Sequence, residues 1–233
     1  MAKKQEFVAT KSAGQGPRKT TKEERRQGAS GKRIAAVIFW LIAFAFEVVA
    51  ILVVNKTIFI KPFTSDYMLY TLIALLVLDL IFVIIGSQFW KRANDIDPVS
   101  EKNKLKFFLW NQMGLIVSVI CFFPFILLLL NNKEMDAKTK KIVTAVATVA
   151  MLISGVASAD WNPMSEEERI ALEEEITAEV YYTTFGRKYH THSDCQAIVN
   201  SKTIYHGPIA DALDAGRTEL CKFCAARDGK VQE

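Results

Sequence analysis

Three of the four cysteines fall within the last 39 residues, and two histidines stand next to them. In chain order the set is His190, His192 and Cys195, then, after 25 intervening residues, the Cys-x2-Cys pair Cys221 and Cys224. Thiolates and imidazoles are the ligands of closed tetrahedral zinc sites, and a Cys-x2-Cys turn presents two sulfurs to one ion. The spacing therefore reads as three thiolates with one imidazole. His190 and His192 lie two apart, so an extended strand points both to the same face and leaves either free to serve. A segment of about 45 residues is also near the size below which a core needs metal or disulfides to hold. A disulfide framework would leave one of the three cysteines unpaired and would need an oxidising compartment. A catalytic zinc needs an open position and a nearby base. Asp194 is the only carboxylate beside a ligand, and an Asp there suits a turn. His206, next to Gly207 and Pro208, reads as an exposed loop residue. The expectation is a structural Zn2+ site with no catalytic residue and no other cofactor, in a protein that is not an enzyme.

The local pattern supplies elements to carry these ligands. Residues 181–184 read as a strand, 185–187 as a turn around Gly186, and 188–190 as a returning strand that delivers His190. Residues 209–215 read as a short helix with Gly216 as its left-handed stop. The expected core is small: Tyr181, Tyr189, Ile198, Ile209, Leu213, Leu220 and Phe223.

Tyr189-His190, Asp194-Cys195, the run Ala-Asp-Ala-Leu-Asp-Ala-Gly at 210–216 and Cys221-Lys-Phe-Cys224 together resemble the Ada-type metal-binding module. That module was first known as the zinc domain of the adaptive-response DNA methylphosphotriester repair protein. The resemblance covers residues 181–226, about a fifth of the chain. It implies the fold and zinc ligation by Cys195, Cys221 and Cys224, with His190 as fourth ligand. In the repair protein the first of four cysteines accepts the methyl group. His190 stands at that place here, and the accompanying helix-turn-helix is absent, so methyl transfer is not implied. Modules of this type beginning with Tyr-His resemble structural appendages on otherwise unrelated bacterial proteins.

The rest of the chain is dominated by apolar runs. Residues 34–54, 67–86, 107–130 and 142–159 total 83 positions and contain only two charged side chains, Glu47 and Asp79, whereas the other 150 carry 52. About 20 apolar residues cross a ~30 Å hydrocarbon core, so the pattern predicts four transmembrane helices and excludes an ordinary soluble domain. The fourth run is the shortest and least apolar, but Ala145, Ala147, Ala150, Gly155 and Ala157 suit close helix packing. Trp40, Trp90 and Trp110 read as packing or interfacial anchors, and Cys121 as a small buried hydrophobe. Pro124 is expected to kink the third span.

Residues 1–33 hold ten Lys or Arg with almost no large apolar side chains, and read as a disordered basic tail. No aromatic residue interleaves the basic cluster to stack on bases, so nucleic-acid binding is not expected. The apolar run after it exceeds a signal-peptide core and lacks a small-x-small cleavage site, so it is read as retained. Tail and second loop outweigh first and third loops by 15 basic residues to 6, which places both termini in the cytosol by the positive-inside rule. Residues 160–180 begin with Trp161 at the interface, then Ser165 and Glu168 in a capping box. Seven glutamates follow among few apolar residues, predicting a solvated acidic spacer helix that holds the terminal module, 181–228, away from the bilayer.

Glu47 and Asp79 are the remaining chemistry. An intramembrane carboxylate is costly and functional by default, and no intramembrane Lys or Arg is present to pair with either. Their depths along the helices, roughly 20 and 10 Å at 1.5 Å per residue, are unequal but within reach of a polar seam with Asn111 and Gln112. The expected fold class is mainly α, a four-helix transmembrane bundle of residues 34–159 followed by a small α/β zinc-stabilised module. The expected role is a cell-membrane interaction or adaptor protein whose partners are the bilayer and another protein. The alternative is a small ion or proton transporter using Glu47 and Asp79, with the zinc module as a regulatory sensor.

Overall fold

The computed structural model describes residues 5–61, 63 and 67–229; residues 1–4 of the expected tail lie outside them. The chain is mainly helical and divides into two compact units. One comprises Ser30–Lys91 and Phe108–Asn162; the other gathers Met1–Ala29, Arg92–Phe107 and Pro163–Glu233.

The first unit contains most of four helices long and apolar enough to cross a membrane: α1 (Lys22–Val54), α2 (Met68–Ile96), α4 (Met113–Asn131) and α5 (Ala137–Ser158). At 22 residues α5 spans roughly 33 Å, so the weakest apolar run still forms a full-length helix. Asp136 caps it, its carboxylate accepting from the Thr139 backbone N–H at 2.8 Å. All four helices contribute to one apolar core, with Ala43 and Ala50 from α1, Leu72 and Leu76 from α2, Phe122 and Phe125 from α4, and Val143 and Ala147 from α5. Of the small residues expected to pack, Ala147, Ala150 and Gly155 are buried and Gly155 sits against Leu115, whereas Ala145 is exposed and Ala157 half-buried; Ser154 and Ser158 are buried instead. Pro124 lies within α4, which continues unbroken past it to Asn131. The third apolar run does divide earlier, at Gln112, which separates the short α3 (Lys104–Asn111) from α4.

Trp40, Trp90 and Trp110 pack on one another, with ring centroids 5.3 and 5.1 Å apart, and Trp90 donates its indole N–H to the Trp110 carbonyl at 2.9 Å. A Cβ at Gly86 would meet the Trp40 ring at 2.6 Å, so only glycine lets α1 and α2 approach so closely there. This contact, with Phe46 against Phe82, sets the antiparallel register of α1 and α2.

The second unit holds a three-stranded sheet in the order β1 (Glu6–Ala9), β4 (Thr203–Gly207), β2 (Val180–Thr183). β1 runs parallel to β4 with Glu6 opposite Thr203, and β2 runs antiparallel to it with Val180 opposite Gly207. This corrects the reading of residues 1–33 as a disordered tail for its described part: Glu6–Ala9 form an edge strand, and helix begins at Lys22. The partners of the tail are about 140 to 200 positions away, which no local composition window samples. Arg18 pairs with Asp211 at 2.9 Å, the Thr20 backbone N–H and hydroxyl both donate to Glu173 at 2.8 Å, and Arg25, 4% exposed, reaches Glu166 at 2.8 Å.

The acidic segment is corrected as well. The capping box forms, Ser165 accepting from the Glu168 backbone N–H at 3.1 Å, and α6 (Glu166–Glu175) follows. It is no free spacer. Leu172 and Ile176 pack on a core of Met164, Val180, Tyr182, Tyr189, Ile209 and Leu213. Arg169 is fully buried and donates to Glu173 at 3.0 Å, to Asp214 at 2.7 Å and to the Asp95 carbonyl at 2.8 Å. Its guanidinium thus joins α6, the last turn of α2 and α7 (Ile209–Asp214) through one fork of donors.

Candidate metal centre

His190, Cys195, Cys221 and Cys224 come together. Their candidate ligand atoms all lie within 4.8 Å of one another, and all four residues are buried. Two short parallel strands, β3 (Lys188–Tyr189) and β5 (Glu219–Leu220), deliver two of them side by side, since His190 follows β3 and Cys221 follows β5. The Cys221 N–H donates to the Tyr189 carbonyl at 2.9 Å. The expected hairpin is present: Tyr181 and His190 exchange backbone hydrogen bonds of 2.8 and 2.7 Å, and Gly186 takes φ +95° in the turn. Cys221 is the N-cap of α8 (Lys222–Arg227), which places Cys224 in its first turn. Cys195 enters on the bend after His192 and accepts from the Ile198 and Val199 backbone at 2.9 and 3.0 Å.

Between these ligands α7 ends as expected. Gly216, at φ +74°, donates to the Leu213 carbonyl at 2.8 Å and Arg217 to that of Ala212 at 2.9 Å, the two bonds of a Schellman stop. This turn sends the chain back into β5 and so to Cys221.

The distances suit a tetrahedral ion. The Cys195 and Cys221 sulfurs are 3.9 Å apart, and the Cys224 sulfur is 3.8 Å from His190 Nδ1. Zinc bonds of ~2.3 Å to sulfur and ~2.0 to 2.1 Å to nitrogen give tetrahedron edges of roughly 3.6 to 3.8 Å. The donor chemistry fits too. Burial, helped by the Lys188 charge, holds the His190 imidazole below its ordinary value, so near neutral pH it is uncharged with a lone pair to give. Burial also pushes the metal-free Cys195 thiol up to about 12, and the neighbouring sulfurs reinforce this. A divalent ion reverses that preference, because a coordinating thiol is deprotonated outright.

The other sequence candidates go elsewhere. His192 bonds the Asp228 carboxylate through Nε2 at 2.7 Å, and Asp194 pairs with Arg227 at 2.8 Å. His206 lies on β4 and not in a loop; its Nδ1 is 2.9 Å from Glu179, which corrects its reading as an exposed turn residue. Of the expected core, Tyr189, Ile198, Ile209 and Leu213 are buried, while Phe223 is exposed and walls a pocket of about 320 Å³ that Cys195 and Cys224 also line. Missed in the sequence were Ile204, fully buried beside the cysteines, and the arginine network that joins the module to the amino-terminal segment. The β-branched and aromatic run Thr203, Ile204 and Tyr205 was the available signal for a strand.

Glu47 and Asp79, on α1 and α2, are buried in the helical unit. The expected seam with Gln112 is not formed: Gln112 donates to the Asp160 carbonyl at 2.8 Å, at the end of α5. Cys121 is not in purely apolar company, since its thiol lies within electrostatic reach of both carboxyl groups.

No protein-family model matches the chain, and no curated protein or solved structure matches it either.

Proposed function

We propose that this chain is a multi-pass membrane protein whose carboxyl-terminal module is built around one structural zinc ion. The observation that carries this reading is the His190, Cys195, Cys221, Cys224 cluster, with ligand separations of 3.8 and 3.9 Å close to those of a tetrahedral ion. Four protein donors complete a tetrahedral coordination shell and leave no open position on the ion, so the proposed ion holds structure and does no chemistry. In this reading the module is Ada-like in fold but not in activity, because His190 takes the place of the acceptor thiolate. The chain is then no enzyme. Its role is to hold the metal-stabilised module at a membrane surface for a protein partner. Pairing of β1 with β4 supports termini on one side, and the 15 to 6 distribution of basic residues selects the cytosolic side of the cell membrane.

The test is metal content of the full-length protein purified in detergent under reducing conditions. One zinc per chain is expected, with loss of the metal and of amide protection throughout residues 180–227 in Cys221→Ser. Structural zinc contributes about 10 to 16 kcal/mol of apparent binding energy in small fingers, more than burial supplies to a module of this size. A native module that carries no metal would refute the reading.

A further inference from the structure

The register of α1 and α2 has a consequence in the middle of the bundle. From the close contact of Trp40 with Gly86, seven residues forward along α1 reach Glu47, and seven back along the antiparallel α2 reach Asp79. The unequal depths expected from the sequence therefore do not hold, and the two carboxyl groups stand at one level, near enough for their charges to interact. Glu47 is 2% exposed and Asp79 is 1% exposed. Among the described residues, none of their four side-chain oxygens has a hydrogen-bond partner. From α4 the Cys121 thiol and the Phe125 backbone lie beside them. α5 has no charged side chain after Lys141, and Glu47 and Asp79 are the only charged residues in the apolar runs of α1 and α2.

Two unpaired carboxylates side by side in hydrocarbon are untenable without a cation, and the donor set decides which one. Ca2+ takes six to eight oxygen ligands and Mg2+ a near-octahedral shell. The groups that converge here are two carboxyl groups and one thiol, and among the described residues they form no cluster of metal-ligand separation. α1 and α2 run unbroken past Glu47 and Asp79, so the backbone carbonyls of these two helices around both are engaged in helical bonds. A proton needs a single lone pair, and once bound to one carboxyl it can be donated to the other in a short O–H···O bond. We propose that Glu47 and Asp79 form an intramembrane proton-binding pair. The proposal is independent of the zinc reading, since it concerns neither the module nor its ligands.

The probe is a hydrophobic carbodiimide, which adds to a carboxyl group only in its protonated form. Applied to the full-length protein in phosphatidylcholine vesicles at neutral pH, it should give one adduct per chain, located by peptide mass at Glu47 or Asp79. The adduct should vanish in the double variant Glu47→Gln, Asp79→Asn, and a large excess of Na+, K+, Mg2+ or Ca2+ should leave its yield unchanged. Glu47→Gln and Asp79→Asn preserve shape and remove charge, so zinc content can verify that the variants fold. A second readout guards against a site too narrow for the reagent: the infrared carbonyl stretch of a protonated carboxylic acid, present in the parent and absent from the double variant. Protection by any metal cation, or absence of both adduct and infrared band, overturns the proposal.

Discussion

Whether an imidazole becomes a ligand is decided by two-residue differences in position. His190 ends a strand that is bridged to Tyr181 on one side and continued by Cys221 on the other, so its Nδ1 is fixed 3.8 Å from the Cys224 sulfur. His192, two residues on, is drawn off by Asp228. His190→Ala is therefore expected to weaken zinc binding strongly, whereas His192→Ala should leave one metal per chain. The pH dependence has a definite sign. Bound ligands are deprotonated, so protons compete with the ion and acidification releases it. The metal-free module responds the same way, because His190 has a folded value below its unfolded one. The unfolded chain then binds more protons as pH falls through about 6.5, and stability declines. Titration of zinc release against pH, with circular dichroism on the same samples, should show both falling together below neutral pH. Metal retained at pH 4 would contradict this.

Among the elements, α6 shows most clearly how packing overrides composition. Its glutamates would make an isolated helix a solvated rod, yet Arg169 turns its inner face into a junction. Removing one partner of a buried ion pair typically costs about 3 to 5 kcal/mol, because the other charge is left uncompensated. Arg169→Met should destabilise the second unit by roughly that amount, with Glu173, 3% exposed, as the stranded group. The double variant Arg169→Met, Glu173→Leu should recover part of the loss. Denaturant unfolding followed by a fluorophore on the module measures both. A loss below about 1 kcal/mol for the single variant would mean that the network is solvated.

At the scale of the whole molecule, topology can be tested with single cysteines at exposed positions. Phe185 is 86% exposed in the hairpin turn, Arg26 is exposed near the start of α1, and Phe59 is 63% exposed in the first loop. In intact cells an impermeant maleimide should label Phe59→Cys and miss both Phe185→Cys and Arg26→Cys until the membrane is opened. Phe185→Cys and Arg26→Cys must behave alike, because β1 and β4 are paired. External labelling of Phe185→Cys with protection of Arg26→Cys would be incompatible with the strand pairing, and labelling of both would invert the orientation.

The sequence by itself determined the features that depend on neighbours along the chain. Four apolar runs of membrane-spanning length, the Ser165 cap, the Gly186 turn, the Gly216 stop and the Cys-x2-Cys turn are all written in residues a few positions apart, where helix period, φ preference and hydropathy act. The four residues of the candidate cluster were named from their types and the Cys-x2-Cys spacing, with the resemblance choosing between two histidines and the tertiary fold bringing only one of them to the sulfurs. Tertiary structure decided what depends on distant partners. Residues 6–9 have no local reason to order; they become a strand because β4, nearly 200 positions away, offers an edge of unpaired N–H and C=O groups. Arg169 and Arg25 read as surface charges until Glu173, Asp214 and Glu166 enclose them. Glu47 and Asp79 read as two separate carboxylates at unequal depths, and it is the helix register set by Trp40 against Gly86 that makes them a pair. Composition reports what a segment can bury, whereas only the packed chain determines against what it is buried.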